Sequence, residues 1–216
     1  MMKKIALALC LSVVSTLSMA QTDAKKLLNE VAKKYKDYSS IRSDFSLSAQ
    51  DGKNGSYNDK GIMYFSKAKN QYAIKMQNQE IISDGKTIWN IAKDLQEIQI
   101  TDAEENDATI GPTNLFTFFQ KGYAYKLQTA ERIQENGKTE NLSVIELQPL
   151  ESKTNYKKIK IRVNKNNHIH DVVVFDKSNN QFTYTLNTLY VGEKFPESTF
   201  VFNKDRYKSY EIVDLR

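Results

Sequence analysis

The sequence predicts a mainly β protein with one helix near its N-terminus and a large antiparallel sheet. Two observations support this fold class. Apolar residues recur at helical spacing before residue 38, and from Ile41 onward the period changes to two. The alternating segments lie close together and are joined by short turns rich in Asp, Asn and Gly. Such short connections favour antiparallel pairing, because parallel strands need long crossovers.

The chain begins with the features of a secretory signal peptide. Lys3 and Lys4 precede an apolar stretch at residues 5–17, which is too short to span a bilayer. Ser18-Met19-Ala20 supplies the small residues of a cleavage site. We therefore expect cleavage after Ala20 and export of the remaining chain.

Cleavage after Ala20 would also remove Cys10, the only cysteine of the sequence. Acylation of Cys10 is the alternative, but Leu9 stands where a small residue is expected. Because residues 21–216 contain no cysteine, we expect them to form a single domain held by its own core rather than by disulfides.

The charge pattern is typical of a solvated surface. The net charge of +5 comes from lysines that are scattered among acids. The sequence has no concentrated basic stripe, so we expect no nucleic-acid partner. No apolar run after residue 20 reaches the roughly 20 residues of a membrane span, so membrane contact is expected only through membrane proteins.

The first element after the signal peptide is an amphipathic helix. Thr22 or Asp23 can act as its N-cap, and lysines lie near its end, where they complement the helix dipole. The apolar positions follow the spacing i, i+3, i+4, i+7 and i+11, and they are Ala24, Leu27, Leu28, Val31 and Tyr35.

Six strands are expected next, at residues 41–49, 61–65, 71–76, 95–100 and on both sides of Asp84-Gly85. An Asp-Gly pair between β-prone arms favours a tight hairpin, because a type I′ turn needs positive φ at its central residues. The segments 62–65 and 88–91 are apolar on both faces. Both faces of this part of the sheet must therefore be covered, or one must be reserved for an apolar ligand.

A short helix and further strands complete the expected fold. Pro112 suits the first turn of a helix and Gly122 its end, and the apolar residues between them indicate burial on several sides, as a core plug or as a moving lid. The tail from Asn203 is charged and is expected to pack loosely. The later strands are expected at residues 123–127, 142–147, 159–163, 169–175, 182–189 and 200–202.

No catalytic or metal-binding motif is recognisable. His168 and His170 would share one face of a strand, but only Asp171 is near enough in sequence to join them. The acidic segment 101–108 lacks the pattern of a calcium loop. Nucleophile elbow, P-loop and dinucleotide-binding motifs are absent from the sequence. We expect no enzyme, no metal and no cofactor, although a two-carboxylate hydrolase would leave no local signature.

The order of these features resembles the LolA-type outer-membrane lipoprotein carriers. The most specific piece is the hairpin Ser83-Asp84-Gly85-Lys86-Thr87-Ile88-Trp89. The resemblance starts at the N-terminal helix and the strand with Ile41 and Asp44-Phe45. It continues through Gly61–Phe65 and Gly111-Pro112 with Leu115-Phe116 to Leu147-Gln148-Pro149 and residues 200–202. It implies an incomplete, strongly curved antiparallel β-barrel that is closed by the N-terminal helix and a short helical lid.

The resemblance also implies a function. A carrier of this family holds the acyl chains of a lipoprotein while it crosses the periplasm. This shields apolar surface that costs about 0.8 kcal/mol per exposed CH₂. The expected partners are acylated lipoproteins, an inner-membrane lipoprotein-release ABC complex and, if one exists, an outer-membrane acceptor. The protein is expected to be a monomer. The alternatives are a lipid or lipoprotein sensor on the same half-barrel and, third, an exported hydrolase.

The expected acyl-chain site combines strand residues with lid residues. Methionine offers adaptable packing, and Trp89, the only tryptophan, would be either pocket lining or core. The family commonly has a lid-locking arginine after the strand at residues 61–65. Lys67 is the nearest match and the expected gating residue, although it lacks the planar fork of arginine. The expected acyl-binding residues are Met63, Phe65, Tyr72, Ile74, Met76, Ile82, Trp89, Leu115, Phe116 and Phe119.

Overall fold

The computed structural model describes residues 22–52, 55–103, 115–135 and 137–216. The predicted signal peptide, most of the acidic segment, Pro112 and Asn136 lie outside the described residues. Among the residues that are described, no helix is both long enough and apolar enough to cross a membrane.

The described chain consists of one α-helix, β-strands and short 3-10 helices. Helix α1 comprises residues 22–37 and confirms the predicted amphipathic helix. The 3-10 helices are Lys67–Lys69, Phe118–Gln120, Glu197–Phe200 and Lys204–Tyr207. The strands are β1 Ser40–Gln50, β2 Ser56–Ser66, β3 Gln71–Met76, β4 Gln79–Ser83, β5 Thr87–Ala92, β6 Glu97–Asp102, β7 Tyr123–Glu135, β8 Lys138–Pro149, β9 Tyr156–Val163, β10 Ile169–Asp176, β11 Gln181–Leu186, β12 Tyr190–Val191 and β13 Glu211–Asp214.

These strands form one open, curled sheet, as the sequence predicts. Its order within the described residues is β13-β6-β5-β4-β3-β2-β1-β11-β10-β9-β8-β7, with β12 paired to β1 beside this path. Every pair is antiparallel except β13 with β6. The terminal strands β7 and β13 do not pair with each other in the described part, so the sheet curls without closing.

Strand register assigns each side chain to one of two faces. Met63, Ile74 and Ile81 are successive cross-strand partners and therefore lie on the same face. We call this the inner face, because α1 and residues 115–120 pack against it. The main core cluster lies there, and its largest fully buried members include Phe119, Leu28, Ile41, Ile145, Leu147, Ile159 and Ile161.

Tyr35 anchors α1 to the inner face. Its hydroxyl accepts a hydrogen bond from the backbone N–H of Ile169 at 3.1 Å. Its ring stacks on Phe116 with centroids 4.2 Å apart. Burial raises the pKa of the Tyr35 hydroxyl well above its usual value, so it stays neutral. The helix therefore joins β10 to the segment at residues 115–120.

The C-terminal tail covers the outer face, which corrects the expectation of loose packing. Trp89 stacks on Phe202 at 5.5 Å, and Phe202 stacks on Tyr207 at 5.7 Å. The Tyr207 hydroxyl donates to Glu80 at 2.9 Å. Strand β13 then pairs with β6. The charged residues of the tail suggested loose packing, but aromatic residues that pack on the sheet stand between them.

The strand predicted at residues 200–202 is also wrong. Glu197–Phe200 is a 3-10 helix that begins after Pro196. Phe202, which was expected to pair in the sheet, places its ring on Trp89 instead. A proline and the polar residues after it favour a turn over a continuing strand here.

The Asp84-Gly85 hairpin exists but differs from a type I′ turn. Gly85 has a φ of +94°, whereas Asp84 has no positive φ. The Asp84 carboxylate accepts the N–H groups of Lys86 at 2.9 Å and Thr87 at 2.8 Å, which stabilises the loop. A Cβ on Gly85 would lie 2.2 Å from the carbonyl oxygen of Lys69. The neighbouring loop therefore leaves no room for a side chain at position 85, which is a second reason for glycine there.

The two histidines have separate partners rather than one shared site. His168 precedes β10, and its Nε2 lies 2.7 Å from the Tyr38 hydroxyl. A register irregularity lies between Ile169 and Asp171 in β10, and the imidazole of His170 contacts Asp171 and Glu135. A metal would have to displace these hydrogen bonds.

The histidines should give opposite pH dependences of stability. Hydrogen bonding to Asp171 and Glu135 raises the pKa of His170, so its contribution is complete below an unfolded pKa of about 6.5 and is lost as pH rises through the folded pKa. Burial and the charge of Lys34 lower the pKa of His168, so its contribution is lost as pH falls.

We expect His170→Gln to destabilise the protein more at about pH 5.5 than at about pH 8.5. His168→Gln is the matched control, and its destabilisation should be larger at the higher pH. Urea unfolding at both pH values measures the two differences. Equal pH profiles for the two variants would contradict the assigned hydrogen bonds.

The outer-face stack should contribute to global stability. Phe202→Ala removes a half-buried ring between Trp89 and Tyr207, and we expect a loss of roughly 2 kcal/mol, below the 3–5 kcal/mol of fully buried rings. Val201→Ala is the control, because Val201 is exposed and should change stability little. Urea denaturation followed by Trp89 emission tests this, and a loose tail would give no difference between the variants.

Candidate functional site

Five of the predicted acyl-binding residues share the inner face. Met63 pairs with Ile74, and Phe65 pairs with Tyr72, so these four side chains lie in adjacent rows. Met76 pairs with Gly61 in the next row. The structure therefore brings together the predicted residues of β2 and β3.

Gly61 allows close packing in this region. A Cβ at this position would lie 2.7 Å from both the Phe45 ring and the carbonyl oxygen of Lys75. The Phe45 ring therefore lies across Gly61, and Phe45 packs at the margin of the main core cluster. A larger residue at position 61 would displace the ring from the inner face.

Ile82 and Trp89 lie on the outer face, apart from the other predicted site residues. They are cross-strand partners of each other, and both belong to the second apolar cluster, which the C-terminal tail covers. A strand turns its successive side chains to opposite faces, so the inner-face residues at these places are Ile81 and Ile88. Both are half-buried and belong to neither core cluster.

Leu115, Phe116 and Phe119 pack against the main core cluster. Phe116 is 7% exposed to solvent, and Phe119 is fully buried. The described part of the predicted lid is a turn followed by the 3-10 helix Phe118–Gln120, whereas the remainder up to residue 114 lies outside the described residues. The adjacent rings of Phe118 and Phe119 are both buried, so this segment is covered on more than one side, as its all-round apolar sequence predicts.

Lys67 contacts the end of α1. Its Nζ donates to the carbonyl of Lys36, and its backbone N–H donates to Ser39 at 3.0 Å. These contacts stabilise the C-terminal end of the helix, where a cation is favourable. The gating role of Lys67 stays a prediction.

A cavity of about 380 Å³ lies at one end of the inner face. Met76 is the one predicted site residue in its lining. Leu95, which is 72% exposed, and Tyr57 also line it, so the cavity reaches the surface. The full lining is Tyr57, Asp59, Met76, Asn78, Gln79, Asn90, Ala92, Asp94, Leu95, Glu97 and Gln99.

The polar residues of this cavity were missed by sequence reasoning. Asn90 and Gln99 are cross-strand partners, and Asn90 also pairs with Ile81. The hairpin pairs Ser83 with Ile88, so its centre lies between Gly85 and Lys86. Counting outward from Asp84-Gly85 would instead pair Ile81 with Ile88, which is two residues from its observed partner Asn90 and on the same face. The expected site was chosen from apolar residues only, so the polar residues at this end of the inner face were not included.

The described residues contain no group of three or more His, Cys, Asp or Glu side chains arranged to hold a metal ion. Their buried side-chain polar atoms all have hydrogen-bond partners. The chemistry that this arrangement supports is the non-covalent binding of apolar and polar groups at an inner face.

A model of the outer membrane lipoprotein carrier protein LolA matches residues 36–203, well over half of the chain. The chain belongs to the LolA family. Proteins of this family act outside the cytoplasm and are binding or carrier proteins, so membership supports a role in binding lipids or lipoproteins. No curated protein matches the chain.

Solved structures that are similar to this LolA-family chain share little of its sequence. An uncharacterized conserved protein from Thermus thermophilus is 8% identical, with a TM-score of 0.54 over 89% of this chain and 99% of that one. A LolA-superfamily protein from Nitrosomonas europaea is 12% identical (TM-score 0.45; 83% and 97% covered). The lipoprotein LppX of Mycobacterium tuberculosis is 9% identical (TM-score 0.44; 81% and 98% covered).

Acyl-chain binding should depend on inner-face residues outside the densest core. We expect Ile74→Ser to weaken binding of a fluorescent fatty acid about tenfold, the equivalent of losing roughly 1.4 kcal/mol of apolar contact. Lys75→Ser, one residue along on the outer face, is the control and should bind normally. Because Trp89 lies on the outer face, the probe's own fluorescence should be followed. Equal affinities of the two variants would place the acyl chain elsewhere.

Proposed function

We propose that this chain is a periplasmic carrier that binds the acyl chains of lipoproteins released from the inner membrane and delivers them to the outer membrane. The main support is the LolA family match over residues 36–203. A carrier in this location agrees with the signal peptide predicted at residues 1–20. The role needs no catalytic group, only apolar surface that can be covered and uncovered.

The inner face offers that surface. Ile74 and Phe65 lie at the margin of the main core cluster, and Ile81 and Ile88 are half-buried outside it. Acyl chains placed against these residues would be shielded from water, which is worth about 25 cal/mol per Å² of apolar area removed from solvent. The described residues cover this part of the face only partly, which would leave an entrance for flexible chains.

The proposed partners follow from the transport of lipoproteins from the inner to the outer membrane. Acylated lipoproteins are the cargo, an inner-membrane ABC complex releases them, and the outer membrane or an acceptor there receives them. Lys67 is proposed to influence lid opening through its contact with the end of α1. A lysine makes fewer simultaneous hydrogen bonds than an arginine, so this control would be weaker than in relatives with arginine.

Depletion of the protein in its host tests the proposal. We expect lipoproteins destined for the outer membrane to accumulate in the inner-membrane fraction, and restored expression to return them. Immunoblots of fractionated membranes measure the distribution, with an integral outer-membrane protein as the control for fractionation. Correct lipoprotein placement in depleted cells would contradict the carrier role and favour a sensor.

A further inference from the structure

We propose that the 380 Å³ cavity binds a cationic head group, such as a primary ammonium, that is attached to an acyl chain held on the inner face. The inference rests on the proposed function, because it takes acyl-chain binding as given. It adds the chemical class of the head group and the direction in which the ligand lies.

The cavity continues the inner face rather than forming a separate pocket. Asp59 pairs with Leu47, which in turn pairs with Tyr184 of β11. Met76 of the lining pairs with Gly61, two residues from Met63. By register, every strand residue of the lining lies on the inner face, as do the acyl-binding candidates of β2 and β3.

Polarity changes along single cross-strand rows. One row passes from buried Met63 through half-buried Ile74 and Ile81 to Asn90 and then to exposed Gln99. The apolar end lies on β2–β4 and the polar end on β5–β6. An amphiphile bound along this row would place its chain toward β2 and its head toward β6, because burying the head in the apolar end costs free energy.

Three carboxylates in the lining indicate that the bound head group is positively charged. They belong to Asp59, Asp94 and Glu97. None of them forms an ion pair with a lysine or arginine among the described residues. The neighbouring Lys93 is not in the lining, and its Nζ donates to the carbonyls of Met76 at 2.9 Å and Gln77 at 3.3 Å. The lining therefore attracts a cation and repels an anion.

Two amides of the cavity, those of Gln79 and Gln99, use their N–H groups within the lining. Gln79 Nε2 donates to Asn90 Oδ1 at 2.9 Å, and Gln99 Nε2 donates to Glu97 Oε1 at 2.8 Å. The side-chain oxygens of Gln79 and Gln99 accept no hydrogen bond from the described residues, so they remain available to a donor. An ammonium carries three donors and no acceptor, which matches this lining.

Two sources can supply this chemistry, namely a lysine close to the acylated end of a lipoprotein and an amine-headed lipid. In both, the ammonium is separated from the acyl chain by a short polar linker. The cavity would hold the ammonium and the linker, while the chain extends over Met76 and Ile74.

Competition with a bound fluorescent fatty acid tests the proposal on the purified protein. Dodecylammonium, dodecyl maltoside and dodecyl sulfate share one chain length and differ in head-group charge. We expect dodecylammonium to compete about tenfold more tightly than dodecyl sulfate, with a preference that weakens as salt is added. Equal competition by the two charged probes would overturn the inference and leave the carrier proposal standing, whereas failure of all three to bind would overturn both.

Variants link the preference to the cavity. The double variant Asp94→Asn, Glu97→Gln should abolish the preference for dodecylammonium and leave dodecyl maltoside affinity unchanged. Asp205→Asn, Glu151→Gln removes the same charge from exposed sites elsewhere and should keep the preference. If both double variants keep it, the cavity is not the source of the selectivity and the inference fails.

Two further pairs of probes distinguish the sources. Palmitoylated peptides with lysine or acetyl-lysine report on a lipoprotein, and lyso-phosphatidylethanolamine against lyso-phosphatidylglycerol reports on a lipid. We expect the ammonium-bearing member to bind more tightly in at least one pair, and that pair identifies the source. No difference in either pair would overturn the inference.

Discussion

The fold depends on covering a sheet whose central strands are apolar on both faces. In β5, Trp89 and Ile91 point outward while Ile88 points inward, so neither face can be left to water at low cost. The C-terminal tail covers the outer face with Phe202, Tyr207 and Tyr210. Helix α1 and residues 115–120 cover the inner face. The C-terminal tail thus covers one face of the sheet, and α1 with residues 115–120 covers the other.

Among the described residues the two covers differ in completeness, and the proposed acyl-chain site lies where the cover is thinner. On the outer face, Ile91 and Ile98 are fully buried beneath the tail. On the inner face, cover is dense over β8–β10, where Ile145 and Ile161 are fully buried, and thinner over β3–β5. A binding protein needs a face that is apolar but not filled, since a filled core leaves no volume for a ligand.

Sequence reasoning reached the fold because strand periodicity and turn residues are local signals. Helix α1, the strands from β1 to β11 and the turns at Asn167 and Asn179 follow from spacing and from residues that accept positive φ. The tail could not be placed this way, because its aromatic residues find partners more than a hundred residues away, as Tyr207 does in Glu80. Such contacts have no local signature.

For the site, the sequence identified the strands but not always the face. Met63, Phe65, Tyr72, Ile74 and Met76 share the inner face, whereas Ile82 and Trp89 lie on the outer one, and the binding of acyl chains by these residues stays a prediction. A shift of one residue exchanges faces, and apolar residues on both faces remove the alternation that would decide between them. The polar cavity at β5–β6 depends on four hairpins in register, which composition does not encode.

Within the described part of the chain, the outer edges of β7 and β13 are unpaired, which leaves a seam in the sheet. A closed cylinder has a circumference fixed by its strand number and stagger, so its lumen cannot widen without breaking backbone hydrogen bonds. Across a seam, the two margins can separate or approach while every ladder stays intact. The interior volume then becomes an adjustable quantity, and one chain could accommodate loads of different bulk by bending rather than by unfolding.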